Sequence, residues 1–381
     1  MGSNVMSVEI TTSKAADQDE RLKTTSALRK SLIRPELGAI CGTILVFGFF
    51  AITAPGSGMF SLQGAMNWGM IAAQYGVIAA GACLLMITGE FDLSIGSMIG
   101  FTEMTVAVVA TRYGLPIWSA ILIAFALALA VGAFNGFLVV RTGLPSFIVT
   151  LGSMFTLRGL TVYLPITLTQ STIISGLGPV IKNDWLAPLF GGKVLGGVFV
   201  WLAHAGIISH FKFGARVGQP IVDGLPMLMV WAAGLVLVSH IVLTRTVFGN
   251  WIFASGGDAG AAKNVGVPVP RVKISMFMFS AFCAAIFGAC QVMQFGSAAA
   301  DRGLMKEFEA IIAVVIGGTL LTGGYGTVIG AALGALIFGV IQQGLFFEAI
   351  DSSLFGVFLG IILVAAVILN TYIRRLITGE R

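Results

Sequence analysis

The sequence is poor in charge. Only 10% of its 381 residues are Asp, Glu, Lys or Arg, against about 25% in ordinary soluble domains, so a water-facing surface over most of the chain is excluded. It has three histidines, His204, His210 and His240, too scattered to suggest a metal site. Its four cysteines, Cys41, Cys83, Cys283 and Cys290, all fall inside apolar runs, with no C-x-x-C and no companion His; neither a metal nor a disulfide is expected. No G-x-x-x-x-G-K-[ST] occurs, and Gly191-Gly192-Lys193 is followed by Val194, which offers no hydroxyl to Mg²⁺. The chain is therefore not expected to hydrolyse ATP or to hold a cofactor. Clustered nucleophiles and paired bases are also lacking, which argues against a membrane enzyme, and the basic residues form no patch that would suit nucleic acid.

What is present is apolar. Hydrophobic residues make up 57% of the chain, mean hydropathy is +0.96, and the runs are roughly 20 residues long, enough to cross a hydrocarbon core ~30 Å thick. The fold class expected is all-α and polytopic. The 50 glycines follow no strict period and suit closely packed membrane helices. Ten spans are expected, at about 38–54, 68–88, 95–112, 115–140, 145–164, 225–246, 274–296, 307–321, 326–346 and 352–372. Residues 1–36 read as a polar tail without a cleavable signal peptide, and 37–381 as the membrane domain. Placing both termini in the cytoplasm puts fourteen of the 22 Lys and Arg there, as the positive-inside rule favours. The stretch 165–224 then becomes a long outer loop. Its run Val194–Phe211 is marginal as a span, and crossing there would move Lys263, Arg271 and Lys273 outside; it is read as re-entrant or as lying along the outer surface.

Charged groups within lipid are costly, ~2.5–3.5 kcal/mol at mid-bilayer, and call for a reason. Gly89 to Ser97 reads GEFDLSIGS. Asp92 or Ser94 could cap the helix beyond Ile95, or this broken polar element could border a transport path; both readings stand. Glu103 lies eleven residues after Asp92, about three turns, so the two could share a face; it is either a carboxyl hydrogen-bonded between helices or a group lining a cavity. Arg158 could snorkel or pair with such a carboxylate. Glu307 and Glu309 suit a helix N-terminus. Gly326, Gly330 and Gly334 form a G-x-x-x-G-x-x-x-G face for close helix approach.

The loop 247–273 carries the sharpest local pattern. Asp258 can cap a short helix over 259–265, Gly266 can end it with positive φ, and Pro268 and Pro270 stop its continuation. The product is a blunt Ala/Gly knob outside the membrane, either an ordinary surface helix or one made for another protein's groove.

This loop, FGNWIFASGGDAGAAKNVGVPVPRVK, resembles the coupling loop of bacterial ABC-importer permeases of the ribose/xylose type. Three further segments resemble that family in order: Gly89 to Gly96, Leu144 to Gly152, and Glu307 to Thr319. Glu90 departs from the family's usual second Gly, and 165–224 is longer than in the shorter members. The resemblance implies a permease subunit of the inner (plasma) membrane working with a second permease copy, a binding protein outside that delivers a monosaccharide or sugar alcohol, and an ATP-binding subunit, usually of tandem domains, that carries the ATP and Mg²⁺. By motif match the coupling residues are Gly256, Gly257, Asp258, Ala261, Ala262, Lys263 and Gly266. A neutral polyol needs hydroxyl, amide and carboxyl partners; Asp92, Ser94, Glu103, Asn135, Gln291 and Gln294 are the candidates. The alternative is an ion- or proton-coupled secondary transporter using Glu103 and Arg158.

Overall fold

The computed structural model describes residues 36–212, 217–348, 350–351 and 354–378. The polar tail lies outside the described residues except for Glu36, which opens the first helix. The helices in chain order are α1 (Glu36–Thr53), α2 (Leu62–Ile87), α3 (Ile95–Arg112), α4 (Ile117–Thr142), α5 (Ser146–Thr169), α6 (Gly178–Lys182), α7 (Pro188–Gly191), α8 (Gly196–His204), α9 (Met227–Arg245), α10 (Val247–Gly257), α11 (Ala259–Asn264), α12 (Val269–Phe295), α13 (Lys306–Ile316), α14 (Val328–Phe347) and α15 (Leu354–Thr378). Strands are confined to two-residue pairs: β1 (Ile173–Ile174) with β4 (Ala298–Ala299), and β2 (Lys193–Val194) with β3 (Leu225–Pro226), both antiparallel.

Each of the ten expected spans carries a helix, but seven are long and apolar enough to cross a membrane: α1, α2, α4, α5, α9, α12 and α14. Helix α3 is diluted by polar residues including Glu103, while α15 runs for 25 residues and is apolar in sequence from Leu354 to Leu369. Helix α13 has 11 residues, about 16 Å of rise and half a crossing, because its apolar run breaks at Gly317-Gly318. Helices α2, α12 and α14 form the centre: their most apolar stretches are 78%, 83% and 72% buried, against 11% for α1.

Small residues make the central contacts possible. A Cβ on Gly132 or Gly136 of α4 would come within 2.7 Å of the α12 backbone, and one on Gly339 of α14 within 2.5 Å of Trp68 O in α2. The expected glycine face of α14 is real at two of its three positions. Gly330 and Gly334 abut Gly317 O and Ala313 O at 2.1 and 2.0 Å from the virtual Cβ, whereas Gly326 precedes the helix and meets Thr319.

Residues 88–94, 246–268 and 317–327 gather at one end of the bundle. At the opposite end, Asp184 accepts from the Trp118 N–H (3.0 Å) and β1 pairs with β4, so 170–226 forms a lobe there. Trp231 of α9 donates to Leu189 O (2.8 Å) and stacks on Phe190, fastening the lobe to the helix ends. Val194–Phe211 does not cross: its helix α8 has nine residues, about 13 Å against the ~30 Å required. It belongs to the lobe.

Candidate functional site

Two features at the first end, and one further along the bundle, account for the residues singled out by sequence. The loop after α9 is more ordered than its composition suggested, because Thr246 accepts from the Gly249 N–H (3.2 Å) and starts α10 there. Asp258 then ends α10 and caps α11, its Oδ1 accepting from the N–H groups of Gly260 and Ala261, both at 2.9 Å. Gly266 closes the unit at φ +89°. The short helix ends at Asn264, before Pro268 and Pro270, and α12 then starts at Val269 with Pro270 in its first turn, where a missing N–H costs nothing. Gly257, Asp258, Gly260, Ala261, Lys263, Val265 and Gly266 are exposed, with Val265 80% accessible, while Ala262 is buried. The result is a knob of small side chains with one cation.

Gly256 seats that knob. A Cβ there would fall 1.8 Å from Ile87 O and 2.7 Å from Gly324 N, and Gly324 N–H itself donates to Ile87 O at 2.8 Å. One on Gly324 (φ +73°) would lie 2.9 Å from Gly257 Cα, and one on Gly323 (φ +80°) 2.7 Å from Gly89 Cα. Three turns, at the ends of α2 and α10 and before α14, thus meet main chain to main chain. Of the seven expected coupling residues, Gly256 and Ala262 face inward and the other five lie on the exposed knob.

Between α2 and α3 the backbone leaves the helix over 88–94, and other helices satisfy it. Phe91 N–H donates to Ser146 Oγ and Leu93 N–H to Thr150 Oγ1, each at 3.0 Å. Asp92 accepts from Ser94 N–H (2.9 Å), Ser94 Oγ (2.5 Å) and, from α12, Ser280 Oγ (2.9 Å). Asn135 of α4 donates to Ser94 Oγ (3.2 Å) and accepts from Ser153. Asp92, Ser94 and Asn135 are thus brought together, but buried and bonded to one another. Ser94 occupies the N-cap of α3 without a side-chain cap bond; neither it nor Asp92 closes the helix as a conventional cap. Ser146, Thr150, Ser153 and Ser280 were missed by sequence reasoning, although the first three recur at i, i+4 and i+7 on one face of α5, a readable signal. Glu90 forms an ion pair with Lys273 of α12.

A second break, 296–305, precedes α13. Gly303 packs on α3, where its virtual Cβ would lie 1.8 Å from Gly96 O. Arg302 pairs with the fully buried Glu103 (3.4 Å), donates to Ser297 O and Oγ (2.6 and 2.7 Å) and lies over the Phe295 ring. Arg158 pairs with Glu307 at 3.5 Å, so Arg158 neither snorkels nor reaches Glu103. Lys306 joins Glu309 (2.5 Å) and the Tyr75 hydroxyl (3.1 Å). Asp92 and Glu103 have no partner in common, against the expectation of a shared face, because Asp92 lies before the helix that holds Glu103. Several atoms here have no hydrogen-bond partner: Glu103 Oε1, Gln291 Oε1, Glu307 Oε2 and Ser97 Oγ. Gln294 is exposed and stands apart from them.

The chain is a bundle of apolar helices interrupted by a largely buried break before α3 and a partly exposed one before α13, with a small-residue knob at one end. The family described as "Branched-chain amino acid transport system / permease component" matches residues 64–367. The chain belongs to this permease family. The permease is 32% identical over 348 residues, 90% of its own length and 91% of the relative, to the probable ABC transporter permease protein y4mJ of Sinorhizobium fredii. It is 29% identical over 374 residues (91% and 94%) to the xylose transport system permease protein XylH of Escherichia coli. With the fructose import permease protein FrcC of Rhizobium meliloti it shares 30% over 300 residues (79% and 75%). No solved structure matches it. The permease is the membrane subunit of an ABC transport system, and the ion-coupled alternative is set aside.

Proposed function

We propose that the permease imports a monosaccharide or sugar alcohol across the bacterial inner membrane, driven by a separate ATP-binding subunit that grips residues 257–266. The Asp258-capped knob carries this reading. Its small side chains fit a groove, and its seat of bare main chain leaves little that can yield under load. The relatives named for xylose and fructose support the substrate class. The distribution of Lys and Arg supports a cytoplasmic knob and cytoplasmic termini. The lobe 170–226 then faces the delivering binding protein, and two permease copies enclose the pathway. A hydroxylated solute passes the break before α13, where Glu103 and Gln291 keep acceptor atoms open.

The test is reconstitution in liposomes with the ATP-binding subunit and the binding protein, following ATP hydrolysis and uptake of labelled xylose and fructose. Asp258→Arg removes the cap and places a bulky cation on the knob. Stimulated ATP hydrolysis should be lost while the permease alone remains monodisperse. Unchanged stimulation would remove the docking role.

A further inference from the structure

Helix α12 holds the segment 88–94 at two places. Ser280 donates to Asp92, and seven residues earlier Lys273 forms its ion pair with Glu90. Seven residues are about two helical turns, so both grips lie on one face of α12. They differ in kind. The Asp92 grip is buried and made of hydroxyls from the surrounding helices. The Glu90 grip is a charge pair whose side chains keep 11% and 17% of their accessibility, and it lies nearest the knob, nine residues beyond the end of α11.

The glycine junction cannot replace that pair. It fixes Ile87 and packs on Gly89 (φ +83°), and with the Gly89 and Glu90 amides donating to Met86 O and Leu85 O it holds main chain only as far as Glu90. Beyond that main-chain contact, the side chain of Glu90 is what ties the start of the break to the first turns of α12. Losing one partner leaves a partly desolvated charge without compensation, so the pair holds firmly while both members are present.

We propose that the Glu90–Lys273 ion pair is the strut that passes displacement of residues 257–266 to the break before α3, with both acting as positioning residues. This rests on the docking reading above. The experiment is hydrogen–deuterium exchange on the reconstituted complex of permease and ATP-binding subunit, with and without ATP and vanadate. In the wild type, exchange changes at 247–266 and at 89–94. In Glu90→Gln and in Lys273→Gln the change at 247–266 persists and that at 89–94 is lost; Lys273→Arg retains it, and the exchanged pair Glu90→Lys with Lys273→Glu restores it. A merely structural pair would alter exchange equally with and without nucleotide. A wild-type response at 89–94 in both single variants overturns the proposal, as does a wild-type complex that responds at 247–266 alone. If a single variant fails to assemble, the exchanged pair decides by restoring or not restoring the response. Silence at 247–266 in the wild type would instead be a failure of the docking reading.

Discussion

The two interruptions in the bundle solve the same problem in opposite ways. Before α3, the Phe91 and Leu93 amides donate to hydroxyls of α5, the Asp92 carboxylate accepts from Ser94 and from Ser280 of α12, and Ser94 accepts from Asn135 of α4. Before α13, charges meet in pairs, yet acceptor atoms on Glu103, Gln291 and Glu307 are left over. Irregular backbone within a membrane must be satisfied by protein or border a polar cavity. The first break takes the former course and acts as a rigid joint. The second retains the bonding capacity that a polyol requires.

That contrast can be broken by substitution. The largest effect is expected where the second break packs on α3: Gly303→Ala would drive a methyl into Gly96 O and should cost about 3 kcal/mol or prevent folding, measured by thermal unfolding of the purified permease. Asp92→Ala would strand the Ser94 and Ser280 donors and should destabilise by about 2–3 kcal/mol in the same assay. Thr150→Val and Ser146→Ala each remove one acceptor for a backbone amide and should cost about 1 kcal/mol. Gln291→Met should shift unfolding least, since its Oε1 is already unpartnered, while lowering solute uptake by about tenfold, the value of one lost hydrogen bond to a solute. If Gln291→Met destabilised more than Asp92→Ala, with uptake intact, the two breaks would have exchanged roles.

The positions of the helices were legible because lipid demands long apolar runs, and the knob was legible because Asp258 and Gly266 are local signals that act through their own neighbours. The failures were tertiary. Asn135 looked like a solute ligand, but in the fold it bonds to Ser94 and Ser153. The grip of Ser146 and Thr150 of α5 and Ser280 of α12 on 88–94 joins two helices and cannot be read from either alone. Helix α10 was hidden in a loop because FGNWIFASG has no clear period. Span 307–321 was overcounted because the run IIAVVIGG does not show that the chain enters it from partway through the bundle.

The meeting of Ile87, Gly256 and Gly324 has one more consequence. Peptide planes in van der Waals contact have no rotamers through which to relax, so the junction lacks the compliance of an ordinary side-chain interface. A sub-ångström shove at one turn must reappear at the other two, as in a gear train cut without backlash.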